Sequence, residues 1–381
     1  MTRRLNLWLL IALAGVIVAL ATESMWGGYL ESDYQRGTPR VVPRPTPVPP
    51  PPPEPTNEVT ALLDDLAIDS PYHYRGLTIF PLVLRHRPDH RSYQTLDEGL
   101  ANGTVVVKER KGGVVSELVL RNNAGLHTFI LAGELVLGGK QNRLMRSDLL
   151  LPPHSGDVVV AVYCGQKGRW SPAERFTSKS ALAPQALRGR AMAGAPQAEV
   201  WEGIRKNAAR LKAASPSEDL QRVYDSKAVR TALAEYRDRC VPYLRRRSAV
   251  GFVAARYGAI VGAEVFRSRS LFNRLRSKLI ESYAIDCIGW EPAHWRRRPV
   301  RQPTVAQARA FLNRAYHAQI SIGSTPGAGR LLTLSGRSTG QALAFDRACV
   351  HLSLYQPAPI IIRPLPPRPP VVPMPRHEER D

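Results

Sequence analysis

Residues 39 to 55 read PRVVPRPTPVPPPPPEP, and the run PLPPRPPVVPMP recurs between 357 and 381. Proline fixes φ and carries no backbone N–H, so neither stretch can join a helix interior or a sheet. A fold of any size is therefore confined to the interval between them, about 58 to 356. The first run reads as an extended polyproline II spacer, rising roughly 3.1 Å per residue, within a spacer region of 25 to 57. The second, with its charged end at 377 to 381, reads as a disordered tail.

Ahead of the spacer, Arg3 and Arg4 precede a run from Leu5 to Ala21 that is apolar apart from Asn6, and Ala19-Leu20-Ala21 fits a small-residue cleavage site. A spanning helix needs about 20 residues, so this run sits at the short end. Residues 1 to 24 fit two readings equally, a cleaved signal peptide or an N-terminal membrane anchor through residues 5 to 21. Either reading puts the rest of the chain outside the cytoplasm. No cysteine lies near the end of the segment, which argues against a lipid-modified lipoprotein.

Hydrophobic periodicity divides the interval 58 to 356. Its first half reads as strands: LTIFPLVLR (77 to 85), TVVVKER (104 to 110), VVSELVLR (114 to 121), HTFILAGELVL (127 to 137), QNRLMRSDLLLPP (141 to 153) and DVVVAVYC (157 to 164). The pairs Gly112-Gly113, Asn122-Asn123 and Gly138-Gly139 punctuate them as turns. The middle is helical. Val200, Ile204, Ala208 and Leu211 recur at helical spacing, as do Leu220, Val223, Val229 and Leu233, with Ser215, Pro216 and Glu218 placed as N-cap, N1 and N3 of the second helix. A hairpin is expected over 250 to 266, turning near Arg256-Tyr257-Gly258. Leu271, Leu275 and Leu279 mark a further helix, TVAQARAFLNRAYHA another, and 329 to 355 ends as strands. Strands and helices are segregated, so the expected class is α+β with a mainly antiparallel sheet system.

Lys and Arg number 53 against 32 Asp and Glu, a formal charge of +21. That charge suits an acidic partner, or simply arginine-rich solvated faces such as LRRRS (244 to 248) and WRRRP (295 to 299). No aromatic-interleaved basic motif of the RNA-binding kind is present, and export argues against nucleic acid. The four cysteines, Cys164, Cys240, Cys287 and Cys349, match no zinc pattern. They are read as buried thiols or, in an oxidising compartment, as disulfides with pairing left open. HRPDH (86 to 90) is read as a solvent-facing loop rather than a metal site, and the cofactor is left open.

The chemistry concentrates around LAGELVLGGKQNRLM (131 to 145), which sets Glu134, Lys140, Gln141, Asn142 and Arg143 amid apolar residues. CGQKGRW (164 to 170) follows one strand later. If these strands pair, as sequential strands commonly do, the two polar turns converge. Gly133-Glu134, Gly139 to Arg143 and Cys164 to Trp170 together resemble the ARPP-1 family, the domain associated with ADP-ribosylglycohydrolase and rhodanese-phosphatase proteins, over about 70 to 290. Gln166 stands where that family usually carries Glu, so this position offers an amide instead of a carboxylate. The resemblance links the domain, by association only, to NAD and ADP-ribose chemistry. On the residues themselves, Glu134 is the candidate proton-transfer group or, alternatively, an ion-pair partner of Arg143 or Arg169. Burial would raise its pKa and a nearby cation would lower it. Gln141, Asn142, Arg143, Gln166, Arg169 and Trp170 are the candidate ligand-binding set. Arginines would fork onto an anion, amides would orient it, and Trp170 would stack on a ring or anchor the turn. Cys164 is the candidate thiol. The expected function is binding of a small anionic ligand, with its processing left open. The competing reading is an envelope scaffold that meets acidic partners through a basic surface.

Overall fold

The computed structural model describes residues 57–356, except 87–88, 111–113, 169–172 and 290–300. The targeting segment, the proline spacer and tail, Arg169, Trp170 and the arginine run at 295 to 299 lie outside the described residues. Helix α1 (Glu58–Asp64) opens the fold, with Asn57 Oδ1 accepting from the amides of Val59 and Thr60. Then come β1 (Leu66–Ile68), β2 (Tyr72–Tyr74), β3 (Leu77–Leu84), β4 (Tyr93–Thr95) and α2 (Leu96–Ala101). The strands β5 (Val105–Glu109), β6 (Glu117–Asn122), β7 (His127–Ile130), β8 (Leu135–Gly139), β9 (Arg143–Met145), β10 (Leu149–Leu151), β11 (Asp157–Cys164) and β12 (Ala173–Thr177) follow. The helical middle comprises α3 (Gln185–Met192), α4 (Gln197–Arg210), α5 (Leu220–Asp225) and α6 (Lys227–Arg246). The chain closes with β13 (Gly251–Arg256), β14 (Ala259–Phe266), α7 (Arg269–Ala284), α8 (Val305–Asn313), β15 (Ala318–Ser324), β16 (Arg330–Gly336), β17 (Thr339–Phe345) and β18 (Ala348–Tyr355). The class is α+β, as the periodicity predicts.

A nine-stranded antiparallel sheet runs in the order β1-β3-β13-β14-β18-β17-β16-β15, with β2 also beside β3. Its two faces follow from period-2 alternation. Leu77 and Ile79 of β3, Phe252 of β13 and Phe266 of β14 face the helical layer, where they meet Val200, Ile204, Leu233, Leu275 and Leu279. Phe80, Leu82, Val253 and Val265 face the other way, onto Val59, Leu62 and Leu63 of α1 and Ala308, Phe311 and Leu312 of α8. Each such side chain contributes roughly 1.5–3 kcal/mol on burial, so the helical stripes are held by the sheet rather than by propensity. A six-stranded sheet, β12-β8-β9-β11-β6-β5, has its own core under Leu96 of α2. The three strands β10-β7-β4 form the remaining sheet, with β4 and β7 parallel.

Two local expectations are corrected. The run 127 to 137 is not one strand: it breaks after Ile130, and β7 and β8 belong to different sheets. Gly133, at φ +85°, makes the turn, and Glu134 Oε2 accepts from the amide of Leu131. The second helix does not start at Ser215. Glu218 takes φ +46°, Asp219 becomes the N-cap of α5 by accepting from the amide of Gln221, and Ser226 separates α5 from α6. Leu220, Val223, Val229 and Leu233 are nevertheless all buried, as their spacing predicts.

Candidate functional site

The hairpin β8–β9 carries the quoted turn, and β9 pairs with β11 so that Arg143 lies opposite Cys164. The expected convergence of the two turns is present up to the edge of the described residues: the amide of Gly165 donates to Asn142 O at 2.8 Å, and Gln141 Nε2 donates to Lys167 O at 3.4 Å. The turn is closed rather than open. Gln141, Asn142, Arg143 and Gln166 are all buried. Asn142 accepts from the amide of Gly138 at 3.2 Å and donates to Asp219 Oδ1 at 2.9 Å, which ties the turn to the cap of α5. Arg143 reaches Gln141 Oε1 at 3.3 Å and Glu109 Oε1 at 3.4 Å, while its Nε has no hydrogen-bond partner among the described residues. Gly139 has φ +53°, and a Cβ there would run into the Phe176 ring and the Glu109 carboxylate, so glycine is required for the turn to pack on β5 and β12.

Glu134 does not pair with Arg143. The cation that meets it is Lys278 of α7, whose Nζ donates to Glu134 Oε1 at 2.6 Å. The same ammonium lies 2.5 Å from Asp97 Oδ2 of α2. Asp97 in turn accepts from Ser178 Oγ at 2.5 Å and from the hydroxyl of Ser180. One buried ammonium thus serves two carboxylates. Burial favours the neutral form of all three groups, and the outcome differs for each. Burial lifts Glu134 above the usual carboxylate range despite Lys278, because that charge is shared and Asp97 adds repulsion. Asp97 is lowered, since Lys278 and the two serines outweigh its burial. Lys278 is raised, its two carboxylates outweighing the desolvation that opposes its charge. Of the two carboxyls, Glu134 is therefore the one that takes up a proton more readily.

This relay leads outward. Ser180, at φ +58°, sits in a backbone region uncommon for a residue other than glycine, and it is exposed on the wall of an open cleft of ≈ 690 Å³. The segment around it is pinned beside the β7–β8 turn by the bonds Leu135 N to Ala181 O and Ala183 N to Gly133 O. Across the cleft stand α5, α6 and Glu281 of α7. Four cations line it. Lys179 pairs with Asp225 at 3.5 Å and Arg237 with Glu281 at 2.9 Å, while Lys227 and Arg230 form no ion pair with any described residue.

A second buried network lies on the helical face of the large sheet. Arg188 of α3 donates through Nη1 to Glu264 Oε1 at 2.8 Å and through Nε to Ala132 O at 2.9 Å. Tyr283 OH donates to Glu264 Oε1 at 3.0 Å, His351 Nε2 lies 2.9 Å from Glu264 Oε2, and His351 Nδ1 lies 2.5 Å from Asp148 Oδ2. The imidazole stacks on Phe266, its neighbour across β14 and β18, at 4.1 Å between centroids. Burial opposes the charge on His351, but Asp148 and Glu264 override it and raise its pKa to about 9. Burial likewise opposes ionisation of Glu264, yet Arg188 and His351 pull it down to about 2. Two cations and two carboxylates balance, so this cluster holds the β7–β8 turn, α3, α7 and the sheet in one arrangement.

Sequence reasoning missed Asp97, Lys278, Arg188, Glu264 and His351. The available signal was an ionisable residue on an apolar stripe: Lys278 falls in the series Leu271, Leu275, Lys278, Ser282, and Glu264 alternates with Phe266. The remaining candidates are placed as follows. Cys164 is buried, with burial pushing its thiol up against the opposing charge of Arg143. All four cysteines are free and buried. His86 pairs with Asp65 at 2.6 Å, and among the described residues no group of His, Cys, Asp and Glu could hold a metal ion. In LRRRS, Arg247 meets the Asp69 carboxylate at 3.1 Å. No helix among the described residues is long and apolar enough to cross a membrane.

The fold is thus a three-sheet α+β domain, built around two buried ion networks, one of which opens through a serine onto a basic cleft. Residues 65–355 match the model of the ARG and Rhodanese-Phosphatase-superfamily-associated Protein domain, ARPP-1, and the chain belongs to that family. No curated protein matches the chain, and no solved structure matches it.

Proposed function

We propose that the domain binds a small anionic ligand, nucleotide- or ADP-ribose-like in charge, in the cleft walled by Ser180, α5, α6 and Glu281. The observation that carries this reading is the pair of cations at the cleft, Lys227 and Arg230, which have no carboxylate partner among the described residues, while Lys179 and Arg237 are neutralised beside them. A concave site with convergent polar groups and a buried, pKa-shifted network behind it is the arrangement expected of a ligand site. Gln141, Asn142 and Arg143, the sequence candidates, act in this reading as the frame: Asn142 fixes Asp219, and Asp219 caps α5 at the cleft wall. Glu134 is a positioning residue that acts through Lys278 and Asp97 on Ser180, and it is the proton-holding group of that relay should the site perform chemistry.

A thermal-shift screen of the full chain against nucleotides, ADP-ribose, sugar phosphates and simple anions tests the proposal. A ligand at about 100 times its Kd should add about 2.7 kcal/mol of stability. The Lys227→Ala/Arg230→Ala variant should lose that shift. Stabilisation by polyanions alone, unchanged in that variant, would overturn the reading in favour of a scaffold that meets acidic partners through its basic surface. We further propose that the domain works outside the cytoplasm, on the strength of the apolar run 5 to 21 and the proline spacer behind it. Alkaline phosphatase fused to the C-terminus should then be active in cells, and an inactive fusion would refute export.

A further inference from the structure

We propose that a second cavity, at the β13–β14 turn, is the seat of the chain's own C-terminal tail, with Ile360, Ile361 and Ile362 as its occupant. This cavity of ≈ 690 Å³ shares no lining residue with the cleft described above, and the proposal is independent of the anion-binding reading. Its walls are Ala232 and Tyr236 of α6, Tyr257 of the turn, and Cys287 and Ile288 after α7, with the exposed Arg75 beside them. The two tyrosine hydroxyls are committed, Tyr236 to Arg75 O at 2.6 Å and Tyr257 to Cys287 O at 2.6 Å. Aromatic ring and aliphatic side chain therefore make most of the lining, which suits branched apolar side chains better than a polar ligand.

The occupant follows from where the fold releases the tail. Strand β18 ends at Tyr355 opposite Gly262, and the amide of Gln356 still donates to Val261 O at 3.2 Å. The chain thus leaves antiparallel to β14, heading for Ala259 and the turn at Tyr257-Gly258. In an antiparallel ladder every second residue bonds to the same neighbour. Continuing this register sets the amide of Ala358 toward Ala259 and turns the nitrogens of Pro357 and Pro359 away from β14, the positions an edge strand leaves open to proline. On the other side β17 begins at Thr339, opposite Tyr355, so the ladder asks no amide of Pro357. Val261 and Tyr257 are four residues apart, as are Gln356 and Ile360. Both spans are about 13 Å at roughly 3.3 Å per residue. The extended chain therefore brings its most apolar stretch, Ile360-Ile361-Ile362, to the tyrosine that walls the cavity. Arg363 and the next prolines then carry the tail away from it.

The experiment is thiol labelling of the full chain carrying Ile361→Cys, against the silent background of four buried native thiols. The new thiol should react at least about tenfold more slowly than the same cysteine in a synthetic peptide of residues 357–369, as burial of one branched side chain implies. Adding Ile360→Asp and Ile362→Asp should restore the peptide's rate, and these changes lie in the tail, outside the core. Filling the cavity with Ala232→Trp should restore it too, which distinguishes this seat from any other. Ile288→Trp, at a half-buried wall residue, serves the same purpose if Ala232→Trp does not fold. A rate equal to the peptide's in the unfilled chain would overturn the proposal and turn attention to residues 290–300, which follow Gly289 of the same cavity, or to an outside ligand. Protection that persists in a folded chain with the cavity filled would overturn it equally.

Discussion

Replacing Lys278 with methionine removes the one cation shared by Glu134 and Asp97 while keeping the length of the side chain. The ammonium is 4% exposed and sits 2.6 Å from a Glu134 that is itself 1% exposed. Breaking a buried pair from one side leaves an uncompensated charge and costs about 3–5 kcal/mol. At roughly 2 °C per kcal/mol for a domain of this size, the melting temperature should fall by about 6–10 °C. Glu134→Gln should behave differently. It leaves Lys278 with Asp97, a balanced pair, and removes the carboxyl whose pKa burial has already raised, so its effect should stay within about 1 kcal/mol. The double variant Lys278→Met/Glu134→Gln should then recover about 2 kcal/mol of the single loss, because only Asp97 remains charged and it keeps its two serine donors. Chemical denaturation of the four proteins at pH 7.5 gives the cycle. Repeating it at pH 5 should shrink the Lys278→Met deficit, since Glu134 protonates more readily than an ordinary carboxyl. The reasoning fails if Lys278→Met costs under about 1 kcal/mol, or if the double variant is no more stable than the single.

Three further outcomes are expected. His351 has its pKa raised to about 9, above the ordinary value near 6.5. Its contribution is therefore fully present below about pH 6.5 and lost as pH climbs through about 9, worth about 3 kcal/mol, and a denaturation series from pH 6 to 10 that stays flat would contradict it. Asp148→Asn should narrow that window from the alkaline side. Gly133→Ala should cost about 1–2 kcal/mol for its φ of +85° alone and more for displacing Arg188, whose side chain a Cβ would strike. Gly156→Ala, at φ +66° with open space around it, should show only the backbone part, and equal melting temperatures for the two variants would refute the packing argument. None of the four thiols should react with a thiol reagent in the native chain and all four should react in denaturant; Cys240 and Cys287 are pushed up to about 12 by burial.

Much of the architecture was legible one element at a time. The apolar runs at 77 to 85, 104 to 110 and 157 to 164 contain β3, β5 and β11, and the helical stripes Val200 to Ala208 and Leu271 to Leu279 are buried as their spacing requires. The expected convergence of the turns at 141 to 143 and 164 to 167 is met, but by a pairing of β9 with β11 that skips β10, which leaves for the β10-β7-β4 sheet. The break at Gly133 was not legible, since Leu131 to Leu137 is as apolar as a continuous strand. It is fixed by Glu134 turning back onto the Leu131 amide and by Arg188 packing on the glycine.

The site divides along the same line. From the sequence alone come the α+β class, the interval the prolines leave available for folding, the family motif, and the fact that Glu134 and Arg143 sit where an uncompensated charge would be costly. The identity of the compensating groups belongs to the tertiary structure. Period and propensity say which way a side chain points, through bonds along one element. Lys278 reaches Glu134 from 144 positions away, and His351 reaches Asp148 from 203. Whether a buried charge meets a cation, a carboxylate or an open cleft depends on which elements pack together, and the packing of α7 against the β7–β8 turn set Glu134 behind Ser180 rather than beside Arg143.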